Sequence, residues 1–220
     1  MIQGDGSIDL GGDGVADTGS DRVGAVRDLL SNLLSVTASV DDFAGIGTDG
    51  DDYIEGNGGN DVIFGNLGQD DIVGGSSSLF PATGGDSSLR PDGSDTIFGG
   101  SGDQIGRNEP GGAGSDAHAR DADTILGDNG NIYRLVGTNG VSGGAFLTFN
   151  YDDYDALRII PRAVELLDYT PGGPDFEATA VLDVGAADEI HGERGDDTIY
   201  GQVGGDFLFG DAEDDDLILS

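Results

Sequence analysis

GTDGDDYIE, GNGGNDVIF and GNLGQDDIV run from Gly47 to Val73 as three consecutive nine-residue units with no residue gained or lost. Each has Gly at positions one and four, Asp at six and a large aliphatic residue at eight. The frame returns as GERGDDTIY (Gly192 to Tyr200), GQVGGDFLF (Gly201 to Phe209) and GDAEDDDLI (Gly210 to Ile218). Partial copies lie between: DGSDTIF (Asp92 to Phe98), RDADTIL (Arg120 to Leu126) and GAADEIH (Gly185 to His191).

Positions seven to nine, such as Val62-Ile63-Phe64, suit a strand too short to stand alone, with one side chain pointing inward. Positions one to six read as a turn in which glycines permit positive φ and close backbone approach. Strand, turn, strand, turn at period nine predicts flattened coils of 18 residues, stacked at roughly 4.8 Å. Stacking then sets Asp above Asp: Asp52 with Asp70, Asp188 with Asp206, and Asp197 with Asp215. Treating Ser76 to Pro91 as a 16-residue excursion pairs Asp61 with Asp95 in the same register. A hard divalent cation between such carboxylates and the bared turn carbonyls removes their repulsion, and oxygen-only ligation favours calcium. Asp123 holds the same position in its partial copy.

The nonapeptide resembles the GGxGxDxUx pattern of the RTX (repeats-in-toxin) family. The resemblance implies an all-β fold, a right-handed parallel β-roll of 18-residue coils holding several Ca2+ ions. In that family, carbonyls at positions two and four of one turn join those at one and three of the next. This implies carbonyl donation from Gly50, Gly59, Gly68, Gly195 and Gly204 at position four, and from Gly47, Gly56, Gly65, Gly192 and Gly201 at position one. The text DADTILGDNG (Asp121 to Gly130), LLDYTPGGPDF (Leu166 to Phe176) and ADEIHGERGDDTIYG (Ala187 to Gly201) also resembles units of long bacterial calcium-binding RTX surface proteins. Such proteins usually leave the cell by type I secretion, which implies an extracellular or cell-surface location. The secretion signal at the C-terminus of such proteins is not visible in DDDLILS.

Composition points the same way. The 220 residues include 42 glycines and 43 acids against nine arginines and no lysine, a formal charge of −34. Such a chain repels itself, so cation binding and folding are expected to be one event. The charge argues against nucleic acid or an anionic membrane as partner. No cysteine is present, which removes disulfides and thiolate metal sites. No segment approaches about 18 consecutive apolar residues, and MIQGDGSIDL lacks the basic and apolar regions of a signal peptide.

Four segments follow. Residues 1–44 form an N-terminal arm and cap. Ser20 to Thr37 is its helix candidate, with Val23, Val26, Leu30, Leu33 and Leu34 at spacings of three and four; a strand through Leu33 to Thr37 is the alternative. Residues 45–130 form a first repeat block with two excursions. The second, Gly99 to Arg120, has Gln104 in place of Asp, Asp116 as a weak ligand candidate and His118 at an aliphatic position. Residues 131–184 form a β-rich insertion with runs at Ile132–Val136, Ala145–Phe149, Leu157–Ile160 and Val164–Leu167. Residues 185–220 form the second block.

Gly140-Val141-Ser142-Gly143-Gly144 fits G-x-S-x-G, with Asp168 and His191 following in triad order. In a chain this rich in Gly and Ser the match arises readily, and His191 sits at position nine of a repeat, so no enzyme is expected. The favoured expectation is a calcium-folded structural module whose open coil ends could add a further subunit, giving a homo-oligomer or filament. The alternatives are a binding module for glycans, a host surface or ice, against which no regular aromatic ladder is legible on the repeats, and the non-catalytic tail of a secreted protease or lipase.

Overall fold

Three-residue strands rich in β-branched residues dominate the computed structural model. It describes residues 2–3, 24–27, 33–37, 50–66, 68–80, 86–100, 102, 121–138, 145–149, 158–170, 183–212 and 217–219. The described residues include one turn of 3-10 helix, Ser87–Leu89, and no helix long and apolar enough to cross a membrane.

Two five-stranded parallel sheets carry the fold. The first sheet contains β1 (Ile2–Gln3), β5 (Val62–Phe64), β7 (Thr96–Phe98), β11 (Glu189–Arg194) and β13 (Phe207–Ala212), in that spatial order. The second contains β4 (Tyr53–Glu55), β6 (Asp71–Val73), β8 (Thr124–Leu126), β12 (Thr198–Tyr200) and β14 (Leu217–Leu219). From β4 to β8 the chain alternates sheets at every strand, and it does so again from β11 to β14.

Register follows the repeat. Tyr53 pairs with Asp71 and Glu189 with Phe207, each 18 residues apart. Insertions leave this register intact: Asp71 pairs with Thr124 and Thr96 with Glu189. Position eight points inward from both sheets, so Ile54, Ile72, Ile125 and Ile199 meet Ile63, Ile97, Ile190 and Leu208 in one column of aliphatic side chains. Burying each isoleucine contributes about 2 kcal/mol.

The final repeat departs from the expected frame. Leu217 pairs with Thr198 and Ile218 with Ile199, 19 residues apart rather than 18. β13 still pairs with β11 at 18 residues, so the two strands of the last coil differ in register by one residue. Asp215 itself lies outside the described residues.

The expected helix over Ser20 to Thr37 is overturned. β2 (Gly24–Arg27) and β3 (Leu33–Thr37) are antiparallel, with a register shift between Val26 and Arg27. Apolar residues at spacings of three and four also fit two short strands, and Gly24, Val26, Val36 and Thr37 favour the strand reading. β1 pairs with β5, so the beginning of the chain lies along the outer edge of the first sheet.

In the 131–184 region, β9 (Gly130–Arg134) and β10 (Arg162–Leu166) form an antiparallel pair, extended by bridges from Val136 to Phe146 and from Phe149 to Ile159. Its Ile132, Val164 and Leu166 pack with Val73, Leu126 and Tyr200 of the second sheet. Arg134 and Arg162, opposite each other on β9 and β10, both donate through Nε to Asp71, at 2.6 and 2.8 Å. Both guanidiniums also reach the carbonyl of Gln69. A second buried pair, Arg90 with Asp168, ties the loop before β7 to the end of the same region.

Asp71→Ala would remove the carboxylate that both guanidiniums share, leaving Arg134 on Asp51 and the Gln69 carbonyl and the buried Arg162 on carbonyl oxygens. We expect a loss of about 3–5 kcal/mol, measured by urea denaturation with calcium present.

Candidate metal centre

Each turn ends on the Asp of position six, and these residues stack along the two edges where the chain crosses between sheets. Along the edge entering the second sheet, the backbone N–H of Asp52 donates to Asp70 Oδ1 (2.7 Å), Asp70 to Asp123 Oδ1 (2.7 Å) and Asp123 to Asp197 Oδ1 (2.9 Å). Along the other edge, Asp61 donates to Asp95 Oδ1 (2.7 Å), Asp95 to Asp188 Oδ1 (2.8 Å) and Asp188 to Asp206 Oδ1 (3.1 Å). The same residues accept through their own carbonyls: Asp70 from Thr124 N–H, and Asp95 from Glu189 N–H. Main-chain bonds therefore hold the carboxylates of Asp70, Asp123, Asp197, Asp95, Asp188 and Asp206 through Oδ1.

The second oxygen has no such use. Oδ2 of Asp70, Asp95, Asp123 and Asp188 is buried with no hydrogen-bond partner. Leaving such an atom unsatisfied is costly, more so for a charged group. These oxygens face the glycine at position one of their own turn. A Cβ on Gly65 would lie 2.5 Å from Asp70 Oδ2, and one on Gly127 would lie 2.5 Å from Asp188 Oδ2 and 2.7 Å from the carbonyl of Gly201. The position-one glycine thus keeps open a space lined by a carboxylate oxygen and the carbonyl of the next turn. At position four, Gly59 (φ 115°), Gly68 (φ 144°), Gly195 (φ 125°) and Gly204 (φ 129°) adopt a backbone that other residues avoid. Position two is also left-handed, in Asn57, Asn66, Glu193, Gln202 and Asp211. Alternation of this kind turns successive peptide planes, baring carbonyls to the neighbouring turn. The carbonyl of Gly50 meets the α-carbon region of Gly68, and that of Ala186 meets Gly204.

The donor set fits a hard cation. Every available ligand is oxygen, and among the described residues no three acidic or histidine side chains converge on one point. A cation held here would draw on one or two carboxylates and on main-chain carbonyls.

The model of the RTX calcium-binding nonapeptide repeat matches the chain in four copies, over residues 46–78, 92–103 and 184–217. The chain carries RTX calcium-binding repeats. RTX repeats bind Ca2+, which agrees with the oxygen-lined turns. No curated protein and no solved structure matches the chain. The partial copy Arg120 to Leu126 lies outside the matched stretches, yet β8 sits between β6 and β12 in the second sheet.

Of the site residues expected from sequence, Gly47 and Asp215 lie outside the described residues, as do Gln104, Asp116, His118 and Ser142. The expected pairs Asp52–Asp70, Asp188–Asp206 and Asp61–Asp95 are joined by hydrogen bonds. The links Asp70–Asp123 and Asp95–Asp188, 53 and 93 residues apart, were beyond counting because insertions separate them. Asp92 and Asp128 were also missed; Asp128 accepts from Ala186 and Val203 N–H, stapling the return from the 131–184 region. Of the triad candidates, Asp168 is taken by Arg90 and Asn129. His191 stacks between Phe98 and Phe209, with ring centroids 5.0 and 4.6 Å away. Phe64 stacks on Phe98 in turn, so position nine of the first sheet is an aromatic ladder that the sequence conceals. Its members come from alternate repeats and straddle two insertions.

Without a cation, burial pushes Asp95 and Asp188 up to about 8, Asp123 up to about 7 and Asp70 well above the usual carboxylate range. These values exceed those of the unfolded chain, near 4, so the cation-free fold is favoured when the groups are protonated. That contribution is present below about pH 4 and is lost as pH rises toward 8. In chelator, β structure by circular dichroism should therefore be greater at pH 4 than at pH 8. With calcium present the sign reverses, because protons compete with the ion. Calcium affinity should fall at least about tenfold between pH 8 and pH 6, read by calorimetric titration.

Gly65→Ala places a methyl group against Asp70 Oδ2 and the carbonyl of Gly99. It should cost the calcium-loaded protein about 3 kcal/mol. Gly205→Ala, with no atom within 4 Å of its Cβ, should change stability by less than about 0.5 kcal/mol in the same denaturation assay.

Proposed function

We propose that the chain is a calcium-folded structural module, a right-handed β-roll in which ions lie between successive turns along both edges. The hand follows the general rule for parallel crossover connections. Asp52, Asp70, Asp123 and Asp197 serve one edge, and Asp61, Asp95, Asp188 and Asp206 the other. Carbonyls of Gly50, Gly59, Gly68, Gly195 and Gly204 and of the position-one glycines complete the oxygen shells. The single observation that carries this reading is the row of buried Oδ2 atoms with no protein partner. Bound calcium supplies the positive charge that lets stacked carboxylates stay buried and ionised. The protein's part is to hold Oδ1 by main-chain bonds and to keep the position-one space open.

The module belongs on this reading to a secreted or cell-surface protein, with no catalytic role, and adds further subunits at its ends. Support for assembly lies at the C-terminal end. β13 and β14 are edge strands of the two sheets, and Phe207, Phe209, Leu217, Ile218 and Leu219 are exposed there. Phe209, 41% exposed, is the outermost described ring of the position-nine ladder. Rings stacked face to face present only their edges along the ladder, a poor platform for a sugar but one that another coil would extend. Unpaired strand edges with apolar side chains invite continuation by a second copy, giving a heterologous contact.

The test is circular dichroism and light scattering on one sample, with calcium and with chelator. We expect an unfolded chain in chelator, β structure in calcium and mass rising with protein concentration. Full β structure in excess chelator at pH 8 overturns calcium-dependent folding. Calcium-loaded monomers at high concentration overturn assembly alone.

A further inference from the structure

The partial copy Arg120 to Leu126 departs from the repeat at position four. Gly59, Gly68, Gly195 and Gly204 fill that position in other turns, whereas here it is Asp121. The side chain does not leave the stack. Asp121 is 1% exposed, and its Oδ1 accepts the N–H of Gly68, at position four of the turn below, at 3.2 Å. Its carboxylate therefore reaches from the turn ending at Asp123 toward the turn ending at Asp70. Those turns are already joined by the bond from Asp70 N–H to Asp123 Oδ1. Asp121 Oδ2, like Oδ2 of Asp70 and Asp123, is buried with no hydrogen-bond partner. Burying a third carboxylate with a bare oxygen beside two others is strongly unfavourable unless positive charge lies nearby.

We infer that Asp121 places a third buried carboxylate beside, not in, the calcium site between the turns ending at Asp70 and Asp123, so that this gap holds its ion in the field of one more negative charge than the repeat pattern supplies. The inference rests on the calcium reading above. Among the described residues no three acidic side chains converge on one point, so Asp121 acts by its charge from the adjoining position rather than as a ligand. Asp70, Asp123 and the backbone remain the groups nearest the ion. One ion of the set should then bind more tightly because of a residue outside the repeat's own ligand positions.

The experiment is calorimetric calcium titration of the full chain, comparing wild type with Asp121→Asn, Asp121→Gly and Asp86→Asn. Asparagine keeps an acceptor for the Gly68 N–H, and glycine restores the repeat's own residue. Asp86 is an exposed acid in the loop before β7, so its variant removes the same formal charge elsewhere. We expect both Asp121 variants to keep the wild-type stoichiometry while one binding step weakens at least tenfold, with Asp86→Asn within twofold of wild type. Circular dichroism of the calcium-saturated variants should match wild type. An Asp121→Asn titration superimposable on wild type overturns the inference, as does an equal shift in Asp86→Asn, which would make net charge the cause. Loss of a whole ion in both Asp121 variants also overturns it, because Asp121 would then be an essential ligand. A wild-type chain that takes up no calcium overturns the underlying reading instead.

Discussion

Carboxylates that must be buried one above another set the terms for this structure. Main-chain hydrogen bonds tie Oδ1 of Asp70, Asp95, Asp123 and Asp188 to the turn before, which orients each group and leaves Oδ2 buried with no hydrogen-bond partner. An ionised carboxylate in that setting is unfavourable by itself, and burial pushes Asp95, Asp123 and Asp188 toward protonation. On the proposed reading, calcium between the turns supplies the positive charge that offsets this. Between the sheets lies one column of aliphatic side chains in a chain of formal charge −34, which is why the proposed reading couples ion binding to folding.

The same geometry explains where the chain tolerates additions. Extra sequence at 76–91, 101–120 and 131–184 enters within turns, never within a three-residue strand, and strand register resumes afterwards as though nothing intervened. A strand carrying one inward isoleucine cannot absorb an insertion without losing its place in the column. A turn can, provided its position-six aspartate returns to the ladder. The antiparallel pair within 131–184 is then secured by a different device, the two arginines on Asp71. Asp71 stands at position seven, an outward-facing strand position, where Tyr53, Val62 and Thr198 stand in other repeats. One acid at that position converts an ordinary outer face into an anchoring point.

Much of the fold and part of the site were legible from residues alone. Gly at one and four, Asp at six and an aliphatic at eight, nine residues apart, dictate short strands, tight turns and stacked carboxylates, because every requirement is local. Asp52 over Asp70 and Asp188 over Asp206 could be counted directly, and Asp61 over Asp95 once a single loop was set aside. The helix expected over Ser20 to Thr37 failed for the complementary reason. Its apolar spacing served two periods equally, and pairing between Gly24–Arg27 and Leu33–Thr37 decided between them.

Tertiary structure decided whatever crosses an insertion or breaks the period. The links from Asp70 to Asp123 and from Asp95 to Asp188 arise because the sheets resume register after loops of unrelated length. The ladder of Phe64, Phe98, His191 and Phe209 draws on alternate repeats and becomes a row only once coils are stacked. The one-residue slip before Leu217 is invisible in a text that still spells a repeat. Sequence alone determined the unit, since a nonapeptide states its own backbone and ligand demands. Only the folded chain determined which units become neighbours, because stacking is a contact between residues that chain order does not bring together.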